Sequence, residues 1–296
     1  MFLITSNIVA SFFRSNFAQD KVPDLSGKTF VVTGGSNGIG LSTSRTLYSH
    51  GGRVILLSSQ ASTGEQAVAY ITTGDLDKAP HDYKAGFGTQ RDNSANGATK
   101  DGSVEHIVAD FGDFVSTTSL ADSGEMHRFT FGGPTEQYGG AKFADQEEFK
   151  KDVGPTALYA RTKLGDILIV KALVEKYFQP PSKILAFSVH PGGVATGQQE
   201  QFKAAYGETV GAISSTLFRP LFRAPDDGAL STLFAATAPV VRQGKEFYNG
   251  AYFTDPEQDG KESKEATDVE PRENFWRTSL EIIKKVVGAE NVGTFA

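Results

Sequence analysis

Residues 28–40 read KTFVVTGGSNGIG, and residues 41–58 continue as LSTSRTLYSHGGRVILLS. The first run is apolar and then broken by glycines. Behind it Leu41, Ser44, Leu47 and Tyr48 recur at helical spacing, Gly51 and Gly52 stop the helix, and a second apolar run of strand length follows. Strand, glycine turn, helix, strand is the order of a parallel βαβ unit, because a crossover helix is how adjacent parallel strands are joined. The expected fold is α/β, a Rossmann-type doubly wound parallel sheet.

Gly34, Gly38 and Gly40 stand where the strand hands over to the helix. Glycines there let the backbone turn tightly and approach a pyrophosphate, whose charge meets free N–H groups and the helix dipole. A ribose partner belongs about 20 residues further on. Here that position is Ser58, Ser59 and Gln60, with no carboxylate to accept from a 2′-hydroxyl but with groups able to donate to a 2′-phosphate. NADP is therefore expected over NAD, with Ser59 in the contact. Gly34-x-Ser36-x-Gly38 also matches a nucleophile elbow, which keeps a serine hydrolase as a rival reading.

The chain has 296 residues, 39% hydrophobic and 22% charged, the make-up of an ordinary globular protein. A formal charge of −6 provides no basic footprint for nucleic acid. With no cysteine there is no disulfide, thiolate metal site or cysteine nucleophile, and the five histidines never fall at metal-ligand spacing, so no metal is expected. The opening MFLITSNIVASFF is too short and too interrupted to span a bilayer, and no transmembrane segment is expected. Residues 1–25 read as an N-terminal arm and 26–290 as a single domain, with a polar insertion at about 61–103; the expected location is cytoplasmic.

Further on, VEHIVADFGDF restores a strand ending at Asp110, placed near an adenine or else a helix cap. TALYARTKLGDILIVKALVEKYF is a long amphipathic helix, KILAFSVHPGGV a buried strand, PDDGALSTLFAAT a helix, FYNGAYF a final strand, and a last helix carries Trp276, Leu280, Ile283 and Val287. Tyr159 and Lys163 share one face of the long helix at i, i+4. An ammonium one turn away favours a phenolate, which makes a tyrosine a workable general acid for a carbonyl oxygen.

TGGSNGIG, YARTK and HPGGVAT in this order resemble the short-chain dehydrogenase/reductase family, and GPTALYARTKLGDILIVKALV resembles its branch of retinol-dehydrogenase-like and fungal secondary-metabolism reductases. The resemblance implies that Tyr159 is the proton donor and that Lys163 binds the nicotinamide ribose and tunes Tyr159. It further implies that Gly34, Ser36, Asn37, Gly38, Ile39 and Gly40 cradle the pyrophosphate, and that Pro191, Gly192, Val194 and Thr196 line the nicotinamide. The implied reaction is hydride transfer between NADP and a carbonyl or secondary alcohol. An apolar segment between Thr196 and Ala224 points to a lipophilic small-molecule substrate. The family's usual dimer helix is not recognisable, so the oligomeric state is left open.

One interval departs from the family. Between the strand ending near Asp110 and the tyrosine helix the family carries a strand with an asparagine motif, a long helix and a strand running into a catalytic serine. The interval 111–158 is mostly polar and shorter than the roughly 60 residues that two strand-helix units need. An internal deletion of central strands is expected, with its seam near Asp122 and Ser123. Ser123 is the best candidate for the catalytic serine, with Ser119 in reserve. A catalytically impaired NADP-binding protein is the alternative this departure raises.

Overall fold

A computed structural model describes residues 16–86, 102–109, 128–132, 141–151, 153–194, 223–260 and 262–292. The fold is α/β. Strands β1 (Thr29–Thr33), β2 (Arg53–Ser58) and β3 (Ser103–Val108) form one parallel sheet in which β2 is central. Strands β4 (Arg128–Gly132), β5 (Leu185–Val189), β6 (Tyr252–Asp255) and β7 (Gln258–Asp259) form a second, parallel except for the β6–β7 hairpin. Among the described residues no ladder joins β1 to β4. The described strands thus fall into two ladders.

Strand β4 corrects the expectation that the interval before the tyrosine helix holds no strand. Its sequence, RFTFG, is five residues long and set among glycine and polar residues, too brief for alternation to stand out. The final strand also begins later than expected: Lys245–Tyr248 is a helical turn, and β6 starts at Tyr252.

Helix α1 (Gly38–Ser49) follows β1. Next, α2 (Ala61–Thr73) and α3 (His81–Gly86) occupy the stretch whose composition reads as a polar surface insertion. That stretch opens as a core element: Ala67, Tyr70 and Ile71 of α2 are buried, as are Ala79 and Tyr83, and the Tyr70 and Tyr83 rings lie 5.5 Å apart. Small and hydroxylated neighbours mask this face from a hydropathy reading. Helices α4 (Gln146–Lys150) and α5 (Pro155–Lys176) precede β5. Helices α6 (Pro225–Thr237), α7 (Pro239–Gln243) and α8 (Lys245–Tyr248) precede β6, and α9 (Lys264–Thr267) and α10 (Val269–Val287) close the chain.

One core cluster crosses both sheets. It takes Leu41, Leu47, Val54 and Leu56 from the first half and Phe187, Val189, Leu233, Phe234 and Phe253 from the second. Phe17, from the described part of the N-terminal arm, meets Phe234 edge-on at 5.3 Å. On the opposite side of the second sheet α5 packs on β5 through Val170, Val174 and Ala186.

The junction of α1 with α6 carries a buried ionic pair. Arg45 Nη2 donates to both carboxylate oxygens of Asp226, at 3.1 and 3.0 Å, with the side chains 7% and 17% exposed. Ser42 Oγ donates to the same carboxylate and Arg45 Nη1 to the Tyr70 hydroxyl. Burial drives the Tyr83 phenol well above the usual tyrosine range, with the Arg45 charge opposing it, so this wall of the cluster stays neutral. No described helix is long and apolar enough to cross a membrane.

Candidate active site

The carboxyl end of β1 turns into α1 through Gly34, whose φ is +63°, a conformation that favours glycine. The turn lies against β2, with Gly34 N–H donating to Leu57 O at 2.8 Å. Asn37 caps α1: its Oδ1 accepts from Gly38 N–H at 2.8 Å. Ser36 is buried beside it. Gly40 is needed for space, since a Cβ there would run into the Gly34 carbonyl well inside van der Waals contact. Gly40→Ala is therefore expected to cost about 1–3 kcal/mol as the turn is forced open. Gly34→Ala meets open space and has only the left-handed backbone to offset, about 1–2 kcal/mol. Urea denaturation midpoints for the two variants check that order.

A cavity of about 400 Å³ opens between the ends of β1 and β2. Ser36 and Asn37 form one wall, Ser58, Ser59 and Gln60 the floor, and Thr63, Gln66, Pro80 and His81 the far wall. This brings the glycine turn and Ser59 together, as expected. Gln66, Pro80 and His81 were not anticipated, because their wall is built by α2 and the start of α3, in the stretch whose composition reads as surface. Ser58 is engaged from behind, its Oγ 2.8 Å from His106 Nε2 on β3. His106 shares a strand face with Val104 and Val108 in VEHIV, and that period-2 pattern is the signal that could have placed it. The chemistry of the cavity suits a dinucleotide: a helix N-terminus, a backbone turn kept free of side chains, and hydroxyl and amide donors where a ribose phosphate would lie.

At the carboxyl end of β5 the chain passes through Pro191 and Gly192, whose N–H donates to His190 Nδ1 at 2.8 Å. Gly193 O accepts from Arg223 N–H at 2.7 Å, and Arg223 pairs with Asp255 at 2.6 Å, tying this turn to the end of β6. Val194 approaches the glycine turn across α6: a methyl group on Gly228 would sit 2.6 Å from Val194 Cγ2 and 3.3 Å from Ile39 Cγ1. Two residues expected at the pyrophosphate and at the nicotinamide of a cofactor thus meet over one small residue.

Tyr159 and Lys163 lie on α5 as the spacing predicts. Tyr159 is 37% exposed, and Lys163 Nζ is 5.9 Å from its ring centroid. Lys163 also donates to Asp166 Oδ2 at 3.0 Å. The helix is anchored by Arg161, which donates to the Glu148 and Phe149 carbonyls, and by ion pairs of Lys171 with Glu262, Lys176 with Glu273 and Glu175 with Arg272. Ser123, Ser119, Asp110, Thr196 and the expected apolar lid lie outside the described residues. Ser119 and Ser123 both precede β4 in sequence, whereas the site residues on β1, β2 and β5 follow their strands. The described residues hold no group of side chains able to ligate a metal.

The short chain dehydrogenase family model matches residues 28–83, the βαβ unit and the cavity's far wall. A short chain dehydrogenase/reductase of Gibberella zeae is 24% identical over 93% of this chain and 87% of its own. A WW domain-containing oxidoreductase of Homo sapiens is 26% identical over 90% of this chain and 71% of its own. Among solved structures, an uncharacterized protein from Mycobacterium Paratuberculosis has a TM-score of 0.61 at 18% identity, covering 91% of this chain and 98% of its own. These likenesses support a place for the chain in the short-chain dehydrogenase/reductase family.

Proposed function

We propose that the protein is an NADP-dependent short-chain oxidoreductase acting on a carbonyl or secondary alcohol of a lipophilic small molecule. The observation that carries this reading is the pairing of Tyr159 and Lys163 on one face of α5, the hydroxyl exposed and the ammonium beside its ring. The nicotinamide, when bound, supplies hydride transfer. The chain's own residues do the rest. Tyr159 gives its proton to the carbonyl oxygen in reduction and receives it in oxidation. Lys163 donates to the ribose hydroxyls and favours the tyrosinate left behind.

Gly34, Ser36, Asn37, Gly38, Ile39 and Gly40 hold the pyrophosphate at the head of α1. Ser59 reads the 2′-phosphate, Asp110 stands at the adenine, and Pro191, Gly192, Val194 and Thr196 shape the nicotinamide side. Ser123 is proposed to orient the carbonyl. The apolar sequence between Thr196 and Ala224 supports a lipophilic substrate, and the likeness of the tyrosine helix to fungal reductases supports a role in secondary metabolism; a cytoplasmic location is proposed with them.

Calorimetric titration of the full chain with NADPH and NADH tests the cofactor, and the expected result is binding with NADPH preferred by about tenfold or more, the discrimination a few donors to the 2′-phosphate supply. Folded protein that binds neither dinucleotide overturns the reading. Equal affinity for both removes the role of Ser59.

A further inference from the structure

Tyr159 and Lys163 are followed on α5 by a third polar residue on their face. Asp166 extends the stripe to i, i+4 and i+7, which on a helix lie one above another. Lys163 Nζ donates to Asp166 Oδ2 at 3.0 Å, and the side chains are 26% and 28% exposed. The pair at Glu147 and Lys150 has the same i, i+3 spacing but is 80% and 68% exposed, an ordinary solvated contact. Burial pushes the Asp166 carboxyl up, and the Lys163 charge and hydrogen bond hold it down; Lys163 is the charged group that acts on it.

The other engaged charged residues of α5 dock the helix on something else. Arg161 reaches the carbonyls of α4, and Lys171, Glu175 and Lys176 reach the C-terminal segment. The bond between Lys163 and Asp166 stays within the helix and docks it on nothing. It consumes one of three ammonium N–H donors and so fixes the direction of the other two.

We infer that Asp166 is a positioning residue: its carboxylate holds the Lys163 ammonium beside Tyr159 with two donors aimed outward, ready for a vicinal diol such as the cofactor ribose. The inference rests on the cofactor reading above. A lysine on a flexible four-carbon stem otherwise samples many rotamers, and holding it beforehand removes that cost from ligand binding.

Asp166→Leu and Asp166→Asn test it, the amide keeping an acceptor oxygen without the charge. The NADPH Kd is expected to rise about tenfold in Asp166→Leu, near the lower end for a hydrogen bond to a charged group, and about threefold in Asp166→Asn, which keeps an acceptor and loses only the charge. In a Lys163→Met background the same changes are expected to have no further effect. Labelling of Lys163 by an amine-reactive reagent, read by peptide mass spectrometry without ligand, is expected to quicken several-fold in Asp166→Leu.

An equal loss of NADPH affinity in the Lys163→Met background makes the role of Asp166 merely structural and overturns the inference. So does unchanged labelling in Asp166→Leu, even if that variant is unstable, provided Asp166→Asn melts like the parent and also labels like it. Quickened labelling in Asp166→Leu, together with a parent that binds no dinucleotide, supports the contact and removes the cofactor reading instead.

Discussion

Replacing Tyr159 with phenylalanine is expected to lower kcat by about a thousandfold, within the 10²–10⁴ range that a positioned proton donor contributes. The ring stays and only the hydroxyl goes. Because the residue is 37% exposed on the face of α5, its packing changes little, and stability should remain within about 0.5 kcal/mol of the parent. NADPH affinity should also hold within about twofold, since the ribose contact is proposed for Lys163 and not for Tyr159. Steady-state turnover with an accepted carbonyl, beside calorimetry with NADPH, separates the two quantities. Undiminished turnover in the variant would remove Tyr159 from the chemistry, and a parent that binds NADPH but turns nothing over would make the protein a binding module.

The second large effect is on folding. Asp226→Ala should destabilise the protein by about 3 kcal/mol or more, because it leaves the Arg45 guanidinium buried without its carboxylate. The partial exposure of Asp226 puts the loss at the lower end of the range for broken buried pairs. A fall in Tm of about 5–10 °C is expected for a chain of this size. Asp226→Asn, which still accepts from Ser42 and Arg45, should lose less. Replacing both partners, as Arg45→Met with Asp226→Leu, should recover part of the loss, because no buried charge is then unpaired. Thermal melts of the three variants check the order, and an Asp226→Ala protein that melts with the parent would show the pair to be idle.

The legible parts of this protein are those whose signal is local. The βαβ unit from Thr29 to Ser58 declares itself through a glycine turn between two apolar runs, and α5 through the spacing of Leu164, Ile167 and Leu168. Tyr159 and Lys163 are visible for the same reason, four residues apart on one helix. Partners that meet only after folding are hidden: Arg45 and Asp226 lie in different halves of the chain, and nothing in either segment names the other. Residues 61–83 mislead because Gly64, Ala67 and Tyr70 bury a face that is small and polar rather than aliphatic; Gly64 fits only because it packs against the His106 ring, where a Cβ would collide. Strand β4 is too short to assert a period, and it becomes visible only when Arg128 to Gly132 are laid along Leu185 to Val189.

The division of the sheet has a consequence for timing and alignment. The glycine turn rides on β1 and α1, and Tyr159 rides on α5 over β5, so among the described residues the two are carried by separate ladders. In an unbroken sheet, backbone hydrogen bonds would set the distance between them. Among the described residues it is set by side-chain packing: the core shared by the two sheets and the joint between α1 and α6, where Arg45 grips Asp226 and Val194 and Ile39 close on Gly228. A side-chain joint tolerates small rotations that a ladder forbids. The spacing of the glycine turn and Tyr159 therefore becomes a property of side chains, not of a backbone ladder.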